Sequence, residues 1–142
     1  MPFDAEAFLA EYAEAYNARD PEKLRSVFAL DDGRFALFED FTGELFDGGL
    51  YAATLEAAFD APGAMSFRLL RSDRFGDLAV VHAIQTIAVE DEEMGVGEAQ
   101  IRATLIVDVG GGSSRIVSGH FSAVPASGEE GCPPGAGCCG LP

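Results

Sequence analysis

The apolar positions of this chain keep two periods, one after the other. Up to about residue 60 they recur every three or four residues, the spacing of one helix face; from Met65 onward they alternate, as in strands. Phe8, Leu9, Tyr12, Ala13 and Tyr16 form the first helical stripe. Asp4 stands where it can cap that helix, with Phe3 and Phe8 at the two positions of a hydrophobic staple. Asp20-Pro21-Glu22 opens a second helix, which carries Leu24, Val27 and Phe28 inward and ends at the turn Asp31-Asp32-Gly33. A short strand follows in RFALFED. A third helix starts near Asp47 or Gly49, faces Leu50, Tyr51, Leu55, Ala58 and Phe59 inward, and closes at Pro62-Gly63.

The alternating half predicts four long strands: Met65–Arg74, Leu78–Glu90, Ala99–Val109 and Ser114–Val124. Phe75-Gly76-Asp77, residues 92–97 and Gly110-Gly111-Gly112 supply the turns. Helices followed by a run of strands read as α+β, with three N-terminal helices packed on one face of a curved, mainly antiparallel sheet. In Leu78–Glu90 one face holds Ala79, Val81, Ala83, Gln85, Ile87 and Val89, the other Val80, His82, Ile84, Thr86 and Ala88. A half-exposed sheet shows a polar face, and neither of these is polar. The second face therefore expects a cover: a second copy of the sheet in a two-fold dimer, or the C-terminal tail. Arg102 and His120 are polar residues inside apolar strands. A charge there must be paired, for instance Arg102 with Asp108 or Glu98, or must face a wet cavity.

Composition changes the picture in three places. Asp and Glu outnumber Lys and Arg 24 to 9, for a net charge of −15, with a single lysine and dispersed arginines. Nucleic acid and anionic membrane surfaces are thereby excluded as partners. No apolar run approaches the roughly 20 residues of a membrane span. MPFDAEAF has no basic lead into an apolar stretch, so no secretory signal is read there and the expected location is the cytoplasm. After Pro125 the chain turns to ASGEEGCPPGAGCCGLP, without periodic apolar positions. Residues 1–125 read as the domain and 126–142 as a tail. Cys132, Cys138 and Cys139 all lie in that tail, spaced unlike the paired ligands of structural zinc sites, so no metal is expected. Glu90-Asp91-Glu92-Glu93 lacks the alternating ligands of a calcium loop, and no phosphate-binding or dinucleotide fingerprint occurs, so no cofactor is expected.

The order of elements, and two local segments, resemble the nuclear transport factor 2-like superfamily across residues 3–125. Arg115-Ile116-Val117-Ser118-Gly119-His120-Phe121-Ser122 resembles the terminal strand of the SnoaL-like and kinase-association branch. Glu39-Asp40-Phe41-Thr42-Gly43 resembles the segment that holds the base in ketosteroid isomerases. The resemblance implies a cystatin-like cone with a pocket between helices and sheet. It makes Asp40 a candidate general base among Phe38, Phe41 and Phe46, and Tyr12 a candidate oxyanion donor. It adds Arg102 and His120 as a candidate anion or carbonyl site on the concave sheet face, since the kinase-association branch has an arginine-lined pocket. Where the isomerases keep a second, protonated acid, this chain has Ala103, Thr104 and Ile106.

Desolvation raises a carboxylate's pKa toward the working range of a base, which is what Asp40 would need. The plain alternative is that Asp40 ends a surface strand. Tyr16, Phe38 and Phe59, from the aromatic stripes, are the remaining candidates to line a cavity. Two functions follow: a domain that binds a small, mostly apolar molecule without turnover, or an isomerase- or cyclase-type enzyme in which Asp40 abstracts a proton next to a carbonyl.

Overall fold

The computed structural model of the chain describes residues 3–39, 43–58, 63–91 and 95–124. Three helices, α1 (Ala5–Asn17), α2 (Pro21–Ser26) and α3 (Gly48–Ala58), alternate with two short strands, β1 (Ala36–Phe38) and β2 (Leu45–Phe46). Four long strands follow: β3 (Met65–Phe75), β4 (Leu78–Asp91), β5 (Gly95–Asp108) and β6 (Arg115–Ala123). Each helix begins on an aspartate whose Oδ1 accepts a first-turn backbone N–H. Asp4 takes Ala7 at 3.0 Å, Asp20 takes Lys23 at 3.1 Å and Asp47 takes Leu50 at 2.9 Å. Such caps contribute about 1 kcal/mol each. The Phe3 and Phe8 rings meet at 5.7 Å, as the staple requires.

The six strands form one curved mixed sheet in the order β2-β1-β6-β5-β4-β3. All neighbours are antiparallel except β1 and β6, which run parallel. That pair joins elements far apart in sequence, and the Phe28–Ile116 bridge continues the same parallel line. Register shifts between Leu69 and Arg71 and between Ile106 and Val107 bend the sheet locally, because the extra residue in a bulge increases twist.

The inner face carries the odd-numbered residues of β4 and β5. Ala79, Val81, Ala83 and Gln85 line up with Ile101, Ala103, Leu105 and Val107, all buried. Against them pack Phe8, Leu9, Tyr12 and Tyr16 of α1, Leu24 of α2, Phe28 and Phe35 beyond it, and Tyr51 and Leu55 of α3. Two side chains tie the end of α1 to the start of β3. Asn17 donates to the Met65 carbonyl at 3.0 Å and accepts its N–H at 2.7 Å. Arg19 donates to Gly63 O at 2.9 Å while its guanidinium lies 4.6 Å from the Tyr16 ring centre.

Several expectations need correction. The first strand is three residues long, and the two-residue β2 beside it has no apolar run to announce it. β5 begins at Gly95 rather than Ala99, since Asp91 pairs with Gly95 and ladder bonds belong to the backbone whatever the side chains. α2 ends at Ser26, so Val27 and Phe28 are buried just past it. Leu50 is exposed: Tyr51 and Leu55 share the inner face of α3, and Leu50 falls about 100° away. The expected tail, 126–142, lies outside the described residues.

The start of α3 presses on the turn after α2. A Cβ on Gly48 would fall on the Leu30 carbonyl oxygen, whereas one on Gly49 meets only Asp47 Oδ1 at 3.7 Å. Gly48→Ala is expected to cost about 1–3 kcal/mol through overpacking. Gly49→Ala is expected to leave stability unchanged or slightly raised, as alanine suits a helix better. Chemical denaturation of the two variants side by side checks the contrast.

Candidate functional site

Four elements each deliver one polar side chain to the same part of the interior. α1 brings Tyr12, α3 brings Tyr51, β4 brings Gln85, and the residue following β1 brings Glu39. Tyr12, Tyr51 and Gln85 are 4%, 3% and 4% exposed. The Tyr12 hydroxyl has Gln85 and Tyr51 as hydrogen-bonding neighbours, and Tyr51 has Tyr12 and Glu39. Each phenol owns one proton and Gln85 two on nitrogen. Gln85 and Tyr51 act as donors toward the Tyr12 oxygen, and the Tyr51 proton lies between Tyr12 and the Glu39 carboxylate.

Aromatic rings enclose this chain of polar groups. Phe28 packs edge-on against Tyr12 at 5.4 Å and Tyr51 at 5.1 Å, and Phe67 lies 4.9 Å from Tyr12. Phe35 and Phe46 stand 5.8 and 6.0 Å from Tyr51. Desolvation by these surroundings is the main reason both phenols are held well above the ordinary tyrosine range; for Tyr12 the charge of Glu39 adds to it, and the bonds from Gln85 and Tyr51 oppose it. Both therefore stay protonated near neutral pH. A neutral phenol in a dry surrounding is a strong donor to an oxygen that carries or develops negative charge.

The structure separates the residues singled out from sequence. Tyr12 is in the buried set, and Tyr16 is buried one turn further along α1, beneath Arg19. Arg102, His120 and Phe38 are on the opposite side of the sheet. Even-numbered positions face outward, and Phe38, His120, Thr104 and His82 occupy one row across β1, β6, β5 and β4. Arg102 donates to Ala123 O at 3.1 Å on that exposed surface, and Phe38 packs on His120 at 5.6 Å. These three residues do not face the concave side. A pairing of Arg102 with Asp108 is also overturned, because Arg34 holds Asp108 at 2.8 Å. Asp40 and Phe59 lie outside the described residues, as do Cys132, Cys138 and Cys139. Among the described residues no three His, Cys, Asp or Glu side chains converge to hold a metal ion.

Gln85 and Tyr51 of the buried set, and the half-buried Glu39 beside them, were not picked out from sequence. Gln85 had a visible signal, being the one polar position on an otherwise Ala, Val and Ile face. Tyr51 read as core, which it also is. Glu39 had no signal of its own beside Asp40. At the other end of α1 a concavity of about 1140 Å³ opens between its first turns, α2 and the β5–β6 turn. Phe3, Phe8, Val27, Leu30 and Val109 line it, with Arg25 and Arg115 at its rim, and Phe28 is the wall it shares with the buried set.

Residues 5–127 match the family model of the SnoaL-like domain. No curated protein matches the sequence. Among solved structures, a proposed dehydratase of the NTF2-like family from Streptomyces avermitilis superposes with a TM-score of 0.70 at 16% identity, covering 86% of this chain and 94% of that one. A proposed calcium/calmodulin-dependent protein kinase type II association domain from Thiobacillus denitrificans gives 0.69 at 20% identity, over 84% and 94%. The CaMKII hub of S. rosetta gives 0.65 at 20% identity, over 87% and 100%. At these identities the likeness is one of fold.

The raised phenols set a direction for alkaline stability. In the unfolded chain tyrosines ionise near pH 10, while folded Tyr12 and Tyr51 keep their protons. The native state then binds more protons than the unfolded one, so stability is fully present below about pH 10 and falls as pH rises beyond it. Tyr12→Phe is expected to make that fall shallower. Denaturation midpoints of both proteins between pH 8 and 11 check it; parallel curves would refute it.

Proposed function

The chain belongs to the SnoaL-like domain family of the nuclear transport factor 2-like superfamily, and from that premise we propose that it binds a small, mostly apolar molecule between its helices and sheet. The polar end of that molecule sits at Tyr12, Tyr51 and Gln85. The observation that carries this reading is the convergence of Tyr12, Tyr51 and Gln85 from three elements among phenylalanine rings, with the half-buried Glu39 beside them. Few polar groups within an apolar enclosure is the make-up of small-molecule sites. A core that served stability alone would do as well with apolar residues, since a buried polar group gains little over an isosteric apolar one.

The outward sheet face supports a homodimer as the form in which the domain works. Val80, Ile84 and Ile106 place apolar side chains on that face beside His82, Thr104 and Arg102, where β4 and β5 run side by side. Domain boundaries of 1–125, with 126–142 as a tail, belong to the same proposal. Among the described residues no helix is long and apolar enough to cross a membrane.

An enzymatic reading is favoured by one further observation: buried Tyr51 hydrogen-bonds to the half-buried Glu39, next in sequence to Asp40. In that reading Asp40 takes a proton beside a carbonyl, and Tyr12, protonated and dry, donates to the enolate oxygen. Both steps are isomerase- or cyclase-type proton transfers without a cofactor. Arg102, His120 and Phe38, on the outward face, have no part in it.

The chain has no tryptophan and three tyrosines, Tyr12, Tyr16 and Tyr51, so tyrosine fluorescence reports directly on this interior. Titration with fused-ring alcohols and ketones is expected to give a saturable change in the wild type, weakened in Tyr51→Phe. A strictly linear response in both would overturn the binding reading. If a ketone is turned over, Asp40→Asn is expected to lower the rate by about 10²–10⁴-fold with binding kept, as loss of a general base does. An unchanged rate removes Asp40 from the chemistry. Ile84→Asp is expected to convert a dimer to a monomer in light scattering after size exclusion; a wild type already monomeric at high concentration would sink the dimer.

A further inference from the structure

Three neighbouring rows cross the outward face of the sheet. The middle row is Arg71, His82, Thr104, His120 and Phe38, from β3 across to β1. On one side of it lie Arg68, Ile84 and Arg102, on the other Asp73, Val80 and Ile106. The apolar side chains therefore flank the middle row, and all three are half-buried in the single chain. Both histidines of the protein stand in the row between them, and both are exposed.

Two-fold symmetry dictates what a second copy brings to each row. In a closed dimer, a contact of residue i with residue j is repeated as j with i. Ile84 meets Val80 of the second copy, and Val80 meets its Ile84, when the two-fold axis lies in the interface along the middle row. The same placement sets Arg68 over Asp73 of the second copy. Arg68 has no ion pair of its own among the described residues. Asp73 already accepts from Arg71 at 2.6 Å, and a carboxylate has lone pairs for a second donor. Apolar burial and charge pairing thus select the same axis. Residues on the axis row meet themselves, so His82 faces His82 and His120 faces His120.

The surroundings of the two imidazoles are cationic. His82 has Arg71 and Asp73 beside it on β3, and Thr104 and Arg102 on β5. His120 has the Phe38 ring at 5.6 Å on β1, and Thr104 and Arg102 on β5. Glu39, next after Phe38, hydrogen-bonds with Tyr51 instead. Of these neighbours only Asp73 is an anion facing the row, and Arg71 holds it. A proton added to either histidine is therefore set against its own counterpart, with arginines close by.

We propose that the homodimer through the outward face is opened by acid, with His82 and His120 as the titrating groups on its two-fold axis. This inference rests on the dimer reading above and names its regulation. Histidine is the side chain whose charge ordinarily changes between about pH 5 and 8. Like charges set against each other in an interface disfavour it. The charge of the whole molecule acts in the opposite sense. Two copies at −15 each repel, and acid lowers that charge, so on net charge alone the dimer tightens as pH falls. The sign of the response separates the two effects.

The test measures the dimer dissociation constant by sedimentation equilibrium at about pH 8 and about pH 5.5, at one ionic strength, a pair of conditions that spans the ordinary histidine range. The full-length wild type is compared with the double variant His82→Gln, His120→Gln. The wild-type dimer is expected to weaken about tenfold or more at the lower pH. The double variant is expected to hold its affinity or tighten. A wild-type dimer that is unchanged or tighter in acid overturns the acid-opening inference and leaves the dimer reading standing. Weakening of the same size in the double variant overturns the assignment to the histidines. A wild type that is monomeric at both values, at high concentration, overturns this inference and the dimer reading together. The wild-type comparison alone decides the first point, whatever the variant does.

Discussion

A phenol can occupy the middle of an apolar core only while its hydroxyl is partnered, and the partners here come from different elements. Tyr12 is on α1, Tyr51 on α3, Gln85 on β4 and Glu39 after β1. The hydrogen-bonding chain through them is satisfied in one relative placement of helices and sheet. Everything else about the interior follows from that placement. Phe28 fits between the two phenols because both are held, and Phe67 closes over Tyr12 from the sheet side. The same low-dielectric enclosure that makes an unpaired group costly makes each hydrogen bond count for more. It also holds the phenols in their neutral, donating form.

The two faces of the sheet divide the protein's chemistry. The inner face is nearly all aliphatic, with Gln85 as its polar exception. The outer face carries His82, Arg102, Thr104 and His120 among Val80, Ile84 and Ile106. Because side chains alternate along a strand, neighbouring residues such as Ile101 and Arg102 belong to different surfaces. The two faces are thus physically independent, and a substitution on one need not disturb the other. The clamp of Asn17 and Arg19 at the far end of α1 keeps that helix seated on β3, and with it the position of Tyr12.

Much of the fold was legible because it rests on local chemistry. The three aspartate caps, the Phe3–Phe8 staple, the inward stripe of α1 and the alternation of β4 and β5 are statements about residues near one another in the chain. The same holds for the turns at Gly76 and Gly112, whose φ of 63° and 88° suits glycine. The site was legible only in part. The stripe of one helix turned Tyr12 inward, and the family resemblance made it a site candidate. Arg102 and His120 were assigned to the wrong side, because two-residue periodicity says which residues share a face but not which face the helices cover.

What the chain order of its residues determined alone is the kind of element for the three helices and four long strands, the α+β class and the polar–apolar partition of the long strands, since caps, periods and turns act over a few residues. What only the tertiary structure decided is which sheet face is the interior, the parallel pairing of β1 with β6, and the meeting of Tyr12, Tyr51, Gln85 and Glu39. Those depend on long-range packing, where residues 12 and 85 become neighbours because burial and hydrogen bonding of distant segments are settled together rather than one by one.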